Sequence, residues 1–511
     1  MTDKIKPIHM LMILDGWGIN DKTEGNAVAQ ADTPFLDYLL ETYPHSDLKC
    51  SGESVGLPEQ IMGNSEVGHM NIGAGRKVCQ DFVRINKAIE NKKIFKIPAL
   101  LDAIRTVSDS GKALHIMGLL SDAGVHSHIS HLFALIEMAQ KENVKHLFIH
   151  PILDGRDTSP TSGIGYIKEL QSYLNQQKYG QIATIAGRYW AMDRDTRWDR
   201  VEKAYDLYTM GQGTLSKDPV TAVQNAYDKN QTDEFLKPVI IDTPKTGLIN
   251  NGDGIVFFNF RADRAKEITR VFTETNFNRF KKKKQVLISN FVCMTQYDEN
   301  FGLPVAFEPQ HLENIFGKIL SREGLSQLRI AETEKYAHVT YFFNGGDEIV
   351  FENEERILIP SPRDVATYDE KPEMSAFKLA ETACEKIQAC AFDFIILNFA
   401  NMDMVGHTGI LPAAIHACET VDACVEKVVT QVLDTGGSVL VTADHGNSEQ
   451  MVTEDGSPHT AHTLNPVRLI LASDIHKEIT LKDGILGDIA PTILKILNIK
   501  QPDQMTGSPL I

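Results

Sequence analysis

The 511-residue chain holds only 7 cysteines, Cys50, Cys79, Cys293, Cys384, Cys390, Cys418 and Cys424, scattered and with no CxxC pair. Their odd number and spacing exclude a disulfide framework and fit reduced thiols in the cytoplasm. Positive charge is also short: 51 Lys+Arg stand against 68 Asp+Glu, a formal net charge of −17. That balance argues against nucleic acid or an anionic membrane as a partner, although a few arginines inside a cleft still dominate the local potential for a small anion. No stretch approaches 18 uncharged apolar residues, so no membrane span is expected. The opening MTDKIKPIHMLMILDG carries lysines and then an apolar run, but Asp15 interrupts it and no small-residue cleavage site follows. It is expected to form a strand and not a signal peptide. Internal repeats and low-complexity tracts are absent.

What is present is an ordinary globular balance, 42% hydrophobic and 23% charged residues. At about 100–200 residues per domain, this length holds roughly two to four domains' worth of chain. Short apolar runs end in Gly/Asp-containing loops and pass into helix-period segments, as in HMLMILDGWG, ALHIMGLLSDAG, HLFIHPILDGRD, QIATIAGRYW, GIVFFNFRAD, QVLISNFVC, FDFIILNFANMD and SVLVTADHG. This alternation predicts α/β architecture with largely parallel sheets, in which ligands bind beyond the carboxyl ends of the strands. Two zones read as domain crossings: the Gly-rich stretch from Asn71 to Phe82, and the segment around Gln296 to Glu308 that follows the Lys281–Lys284 run. The middle of the chain is then an inserted domain and the two ends belong together. The four lysines themselves read as a solvated helix end.

The polar residues at strand ends carry the chemistry. Asp15 ends the first apolar run, Asp403 and His407 follow FIILNFANM, Asp444 and His445 follow SVLVTA, and His462 lies in SPHTAHTLNP. Singly, an Asp after a strand is usually a turn or capping residue. Together, carboxylates and imidazoles in this number suit a pair of borderline divalent ions, Mn²⁺ or Zn²⁺ better than Mg²⁺ alone, of the kind that clamps a phosphoryl transfer. Ser65, in QIMGNSEVGHMNIGAGR, precedes a helix-compatible stretch, so its hydroxyl is either a nucleophile at a helix N-terminus or part of a Ser/Asn cap. Arg156, Arg188, Arg194, Arg261 and Arg264 cluster near strand ends of the middle segment and suit a small, doubly anionic substrate. Surface ion pairs with Asp157, Asp193, Asp195 and Asp263 are the competing account. In SDAGVHSHISH, His126, His128 and His131 read as one loop residue followed by a helix face, not as a zinc site.

At these residues the chain closely resembles cofactor-independent phosphoglycerate mutase of the alkaline phosphatase superfamily. The motifs run nearly end to end: LDGWG at 14–18, MGNSEVGHMNIGAGR at 62–76, SDAGVHSH at 121–128, DGRDTSP at 154–160, AGRYWAMDRD at 186–195, NFRADR at 259–264, ETEKYAHVTYFFNGG at 332–346, NFANMDMVGHTG at 398–409, TADHGNSEQM at 442–451 and HTAHTLNPV at 459–467. The resemblance implies two α/β domains: a phosphatase-like metal domain from residues 1–79 and 311–511, and an inserted phosphotransferase domain from 80–310. It implies one metal on Asp403, His407 and His462 and another on Asp15, Ser65, Asp444 and His445, with Mn²⁺ placed first and Mg²⁺, Zn²⁺ or Co²⁺ compatible, and no bisphosphoglycerate. Ser65 would carry the phosphoryl group, Lys335 would stabilise its charge, and Asp157 would act as general base on glycerate. His126, Arg156, Asp157, Arg188, Arg194, Arg261, Arg264 and Lys335 would bind the phosphoglycerate.

The activity so implied is interconversion of 3- and 2-phosphoglycerate by a cytoplasmic, monomeric isomerase. Closure of one lobe on the other would keep water from the phosphoserine. A metal-dependent phosphomonoesterase or phosphopentomutase sharing the same metal core is the alternative. A non-enzymatic, metal-stabilised binding protein is a third reading, and it requires Ser65 to be dispensable.

Overall fold

The computed structural model describes residues 6–242 and 247–511, so the first five residues of the opening segment lie outside it. The chain divides into two compact units, one made of residues 1–80 with 311–511 and the other of residues 81–310.

The first unit is built on an eight-stranded sheet in the order Glu354–Ile359, Gln327–Glu332, Phe394–Phe399, His9–Leu14, Ser438–Thr442, Val467–Ala472, His45–Lys49 and Gly484–Ile485. The strands from Glu354–Ile359 to Ser438–Thr442 are parallel, and Val467–Ala472 runs against both of its neighbours. His9–Leu14 lies centrally, paired along its length with Phe394–Phe399 on one side and Ser438–Thr442 on the other. A continuously apolar strand in that position is covered on both faces, which is why HMLMIL shows no polar alternation. The in-register pairing of Leu14 with Phe399 and of Ile13 with Thr442 brings the residues after these strands to one edge.

The second unit has its own nine-stranded sheet. Its main path runs Val305–Phe307, Asn290–Thr295, Gly254–Phe257, Ala113–Leu120, His146–Leu153, Thr184–Gly187, Val239–Ile241 and Thr214–Ser216. Alternate residues of Ala113–Leu120 enter different cores: Leu114 and Ile116 pack in one, Met117 and Leu119 in the other, so helices cover both faces. The Lys281–Lys284 run is not a helix end. The Lys266–Thr273 helix stops well before it, and the lysines tie irregular chain down: Lys284 Nζ donates to Thr209 O at 2.9 Å and to Asn250 Oδ1 at 2.8 Å, while Lys283 pairs with Asp206.

Cys50, Cys293, Cys418 and Cys424 are buried, and burial pushes their thiols up to about 12, as expected of inert packing residues. Among the described residues no helix is long and apolar enough to cross a membrane.

Candidate active site

Four adjacent strands of the first unit deliver the site from their carboxyl ends. Asp15 directly follows His9–Leu14, Asp403 and His407 lie on and just after the Asn401–Gly406 helix beyond Phe394–Phe399, Asp444 and His445 follow Ser438–Thr442, and Lys335 sits in the Thr333–Ala337 helix after Gln327–Glu332. Ser65 is the first residue of the Ser65–Ala74 helix. Its predecessor Asn64 is the cap, with the side chain accepting from Val67 N at 2.9 Å, so the serine hydroxyl is left for other partners. Two glycines permit the assembly. At φ +82°, Gly16 brings the chain where a Cβ would stand 2.8 Å from the Asp403 backbone, and a Cβ on Gly68 would stand 2.8 Å from Asp444.

Ser65 Oγ lies 2.7 Å from Lys335 Nζ, 3.0 Å from His445 Nε2 and 3.2 Å from Asp15 Oδ1. Lys335 Nζ also donates to Asp15 Oδ1 at 2.7 Å and to Asp403 Oδ2 at 2.6 Å. Ser65, Lys335, His445, Asp15 and Asp403 are all buried. Burial alone would raise the Asp15 and Asp403 carboxyls, but the Lys335 ammonium overrides it and holds both well below the usual range. Burial likewise works against charge on Lys335 and His445; the surrounding aspartates nevertheless hold Lys335 high and push His445 up to about 9.

The donor set fits a divalent cation. Asp403, His445 and His462 form one cluster and Asp15, Asp444 and His445 another, each with one ligand atom per residue within 4.8 Å of the others. His407 Nδ1 faces Thr460 O at 2.7 Å and His462 Nδ1 faces Gly63 O at 2.9 Å. Both Nδ1 atoms are therefore protonated in the neutral rings, which turns two bare Nε2 atoms 3.1 Å apart onto Asp403 Oδ1, each 3.2 Å from it. Lone pairs converging in this way match a cation, and a backbone carbonyl behind each ring fixes the ligating tautomer.

The second unit gathers the remaining expected residues at its own strand ends. Arg188 is buried, donating from Nη1 to Asp154 Oδ1 at 2.7 Å and Asp157 Oδ2 at 2.5 Å, with Nη2 3.0 Å from His126 Nε2. Burial, and next the Arg188 charge, lower His126 to about 4, so it is neutral near pH 7. Arg194 and Arg261 share Asp263 at 3.1 Å each, and Arg156 lies 3.7 Å from Glu234. Arg264 donates to Met192 O at 3.1 Å, and burial together with the fields of Arg188, Arg194 and Arg156 lowers its basicity. These arginines lie close enough to oppose one another's charge, and Arg188, Arg194 and Arg261 also make the ion pairs with Asp157 and Asp263 that the competing account expected. Sequence reasoning missed Asp154, which also accepts from Ser121 Oγ at 2.9 Å and from the backbone N–H groups of Arg156 and Asp157. The Asp-Gly turn signal at its position was visible, but its role as the partner of Arg188 was not.

The 2,3-bisphosphoglycerate-independent phosphoglycerate mutase of Syntrophotalea carbinolica is 53% identical over 511 residues, covering 100% of this chain and 99% of that protein. The chain belongs to this family of mutases. The Methanococcoides burtonii mutase of the same description is 53% identical over 510 residues, 98% of each chain. A family model described as the BPG-independent PGAM N-terminus matches residues 85–299. Crystal structures of Leishmania mexicana phosphoglycerate mutase at low cobalt concentration align with a TM-score of 0.61 at 31% identity, covering 99% of this chain and 98% of that one. Membership makes the chain an isomerase, and the donor set described above is of a kind that suits a divalent cation.

Proposed function

We propose that the enzyme interconverts 3-phosphoglycerate and 2-phosphoglycerate through a phosphorylated Ser65, using two divalent ions, Mn²⁺ first among them, and no bisphosphoglycerate. The observation that carries this reading is the convergence on one buried serine hydroxyl of Lys335, Asp15 and His445, at 2.7, 3.2 and 3.0 Å. Asp403, His407 and His462 would hold one ion, and Asp15, Asp444, His445 and Ser65 the other. Bound ions would supply Lewis-acid stabilisation of the phosphoryl oxygens and a lowered serine pKa.

The chain's own residues supply the rest. Ser65 Oγ attacks phosphorus as the bond to the glycerate oxygen breaks, and Lys335, already donating to the serine, neutralises charge on the phosphoryl oxygens. At the first turn of the Ser65–Ala74 helix, unsatisfied N–H groups and the helix dipole favour the phosphorylated side chain. Arg156, Arg188, Arg194, Arg261 and Arg264, with His126, would retain the glycerate while it reorients. Asp157, held at 2.5 Å by Arg188, would take the proton from the glycerate hydroxyl that recovers the phosphoryl group.

The test is turnover of 3-phosphoglycerate with Mn²⁺ and no bisphosphoglycerate, together with mass spectrometry for phosphoserine. Ser65→Ala is expected to reduce the rate to below about one thousandth of the parent while the protein still folds and binds metal. Appreciable turnover by that variant, or total dependence on added bisphosphoglycerate, would overturn the reading. Release of inorganic phosphate as the main product would point to a phosphomonoesterase instead.

A further inference from the structure

One turn along the helix from Ser65, on the same face, lies His69, an imidazole that is wholly buried. Its Nδ1 is 2.8 Å from the carbonyl oxygen of Ser65 and 3.2 Å from Asp444 Oδ2. Its Nε2 is 3.0 Å from the side-chain nitrogen of Asn398, the residue paired with Ile13 two positions before Asp15, and that amide also donates to Asp15 Oδ2 at 2.8 Å. The chemistry of the neighbours dictates every proton. A carbonyl and a carboxylate beside Nδ1 require a hydrogen there, and an NH₂ group beside Nε2 requires a lone pair. The Asn398 amide cannot be turned over, because its oxygen would then face Asp15. That oxygen has no hydrogen-bond partner although it is buried, so the side chain is oriented by Asp15 and His69 at the expense of an unmet acceptor. The His338 ring, 5.5 Å away between centroids, packs beside the imidazole.

We propose that His69 and Asn398 are positioning residues. They form a neutral relay that ties the backbone of Ser65 to the Asp15 carboxylate. Neither residue touches substrate. Their effect is to fix the Asp15 carboxylate relative to the serine without adding a charge that would compete with a cation. This inference rests on the reading of Ser65 as nucleophile and of Asp15 as a metal donor.

The first test needs no mutation of the relay. Nitrogen-15 spectra of histidine-labelled enzyme loaded with Mg²⁺ should show His69 as the Nδ1–H tautomer, its signal assigned by its loss in His69→Asn; an Nε2–H tautomer would overturn the relay. The second test is titration calorimetry with Mn²⁺ alongside steady-state kinetics. Replacing either residue by leucine should weaken Mn²⁺ binding by about tenfold or more and lower kcat in parallel, as loss of groups that orient ligands commonly does. KM should stay within about twofold, because substrate contacts are untouched. His69→Asn, which keeps an N–H donor near the Nδ1 position, should restore most of the Mn²⁺ affinity. The double leucine variant should lose little more than either single one, as expected of a unit. Mn²⁺ affinities within about threefold of the parent, or losses not rescued by asparagine, would reduce the pair to space-filling and sink the proposal. Should the leucine variants fail to fold, the tautomer and the His69→Asn affinity decide the question. Turnover by Ser65→Ala would defeat the phosphoserine reading, whereas the calorimetry and tautomer would still report on the relay itself.

Discussion

Glu332 closes the Gln327–Glu332 strand with no exposed surface, accepting from Ser375 N and Ser361 Oγ at 3.0 Å each. Burial outweighs those two hydrogen bonds and raises its carboxyl from 4.5 to about 7. The folded protein therefore keeps a proton that the unfolded chain gives up between those values. The stabilising contribution is fully present below pH 4.5 and is lost as pH rises through 7, an effect of up to about 3 kcal/mol. Glu332→Gln mimics the protonated acid, so its Tm should gain on the parent between pH 5 and pH 8; a constant Tm difference would show that the group does not titrate there. Gly68 makes the opposite kind of point. Ala is the better helix former by about 1 kcal/mol, yet its Cβ would meet Asp444 at 2.8 Å. Gly68→Ala should cut kcat and Mn²⁺ affinity by about tenfold or more without loss of helicity by circular dichroism. Single residues of this kind were unevenly legible. Asp15, Asp403, Asp444 and their histidines stand out because polar groups at the ends of apolar runs are conspicuous. Asn398, His69 and Glu332 sit inside helix or strand patterns, where nothing local distinguishes them from ordinary core positions.

The elements bearing the site owe their placement to ordinary strand and helix signals. The runs that end at Leu14, Phe399 and Thr442 are short, apolar and bounded by Gly or Asp, and all three are strands. What spacing alone does not contain is which of them are neighbours. His9–Leu14 lies between strands that begin at Phe394 and Ser438, far along the chain, and only the full register shows that their ends coincide. At the Ser65–Ala74 helix the cap is Asn64, which leaves the Ser65 hydroxyl free to face Lys335, His445 and Asp15. Asn64→Ala removes the acceptor for Val67 N, and about 1 kcal/mol of stability should go with it. The helix start would fray at Ser65, the proposed nucleophile, so kcat should fall further than the stability loss alone explains. Denaturant melts compared with kinetics would test this, and an unchanged kcat would remove the cap from the catalytic argument.

The whole molecule consists of one contiguous unit and one interrupted unit, each with its own sheet and buried core. Residues 81–310 should therefore fold when expressed alone, with a cooperative calorimetric transition that Mn²⁺ does not shift. In the full enzyme, Mn²⁺ at about one hundred times its Kd should stabilise the first unit by about 2.7 kcal/mol. A fragment 81–310 without a cooperative transition would contradict the separateness of its cores.

The interruption also orders events in time. During synthesis His9–Leu14 leaves the ribosome first, yet the strands that flank it end at Phe399 and Thr442. At about 5–20 residues per second, an apolar strand waits roughly 20–80 s for its first partner, while the inserted unit completes its own sheet. A chain halted anywhere before His462 lacks part of the donor set around Ser65. On the proposed reading, nascent and truncated chains should be inactive toward phosphate esters, and their unpaired apolar first strand is the kind of surface that chaperones cover.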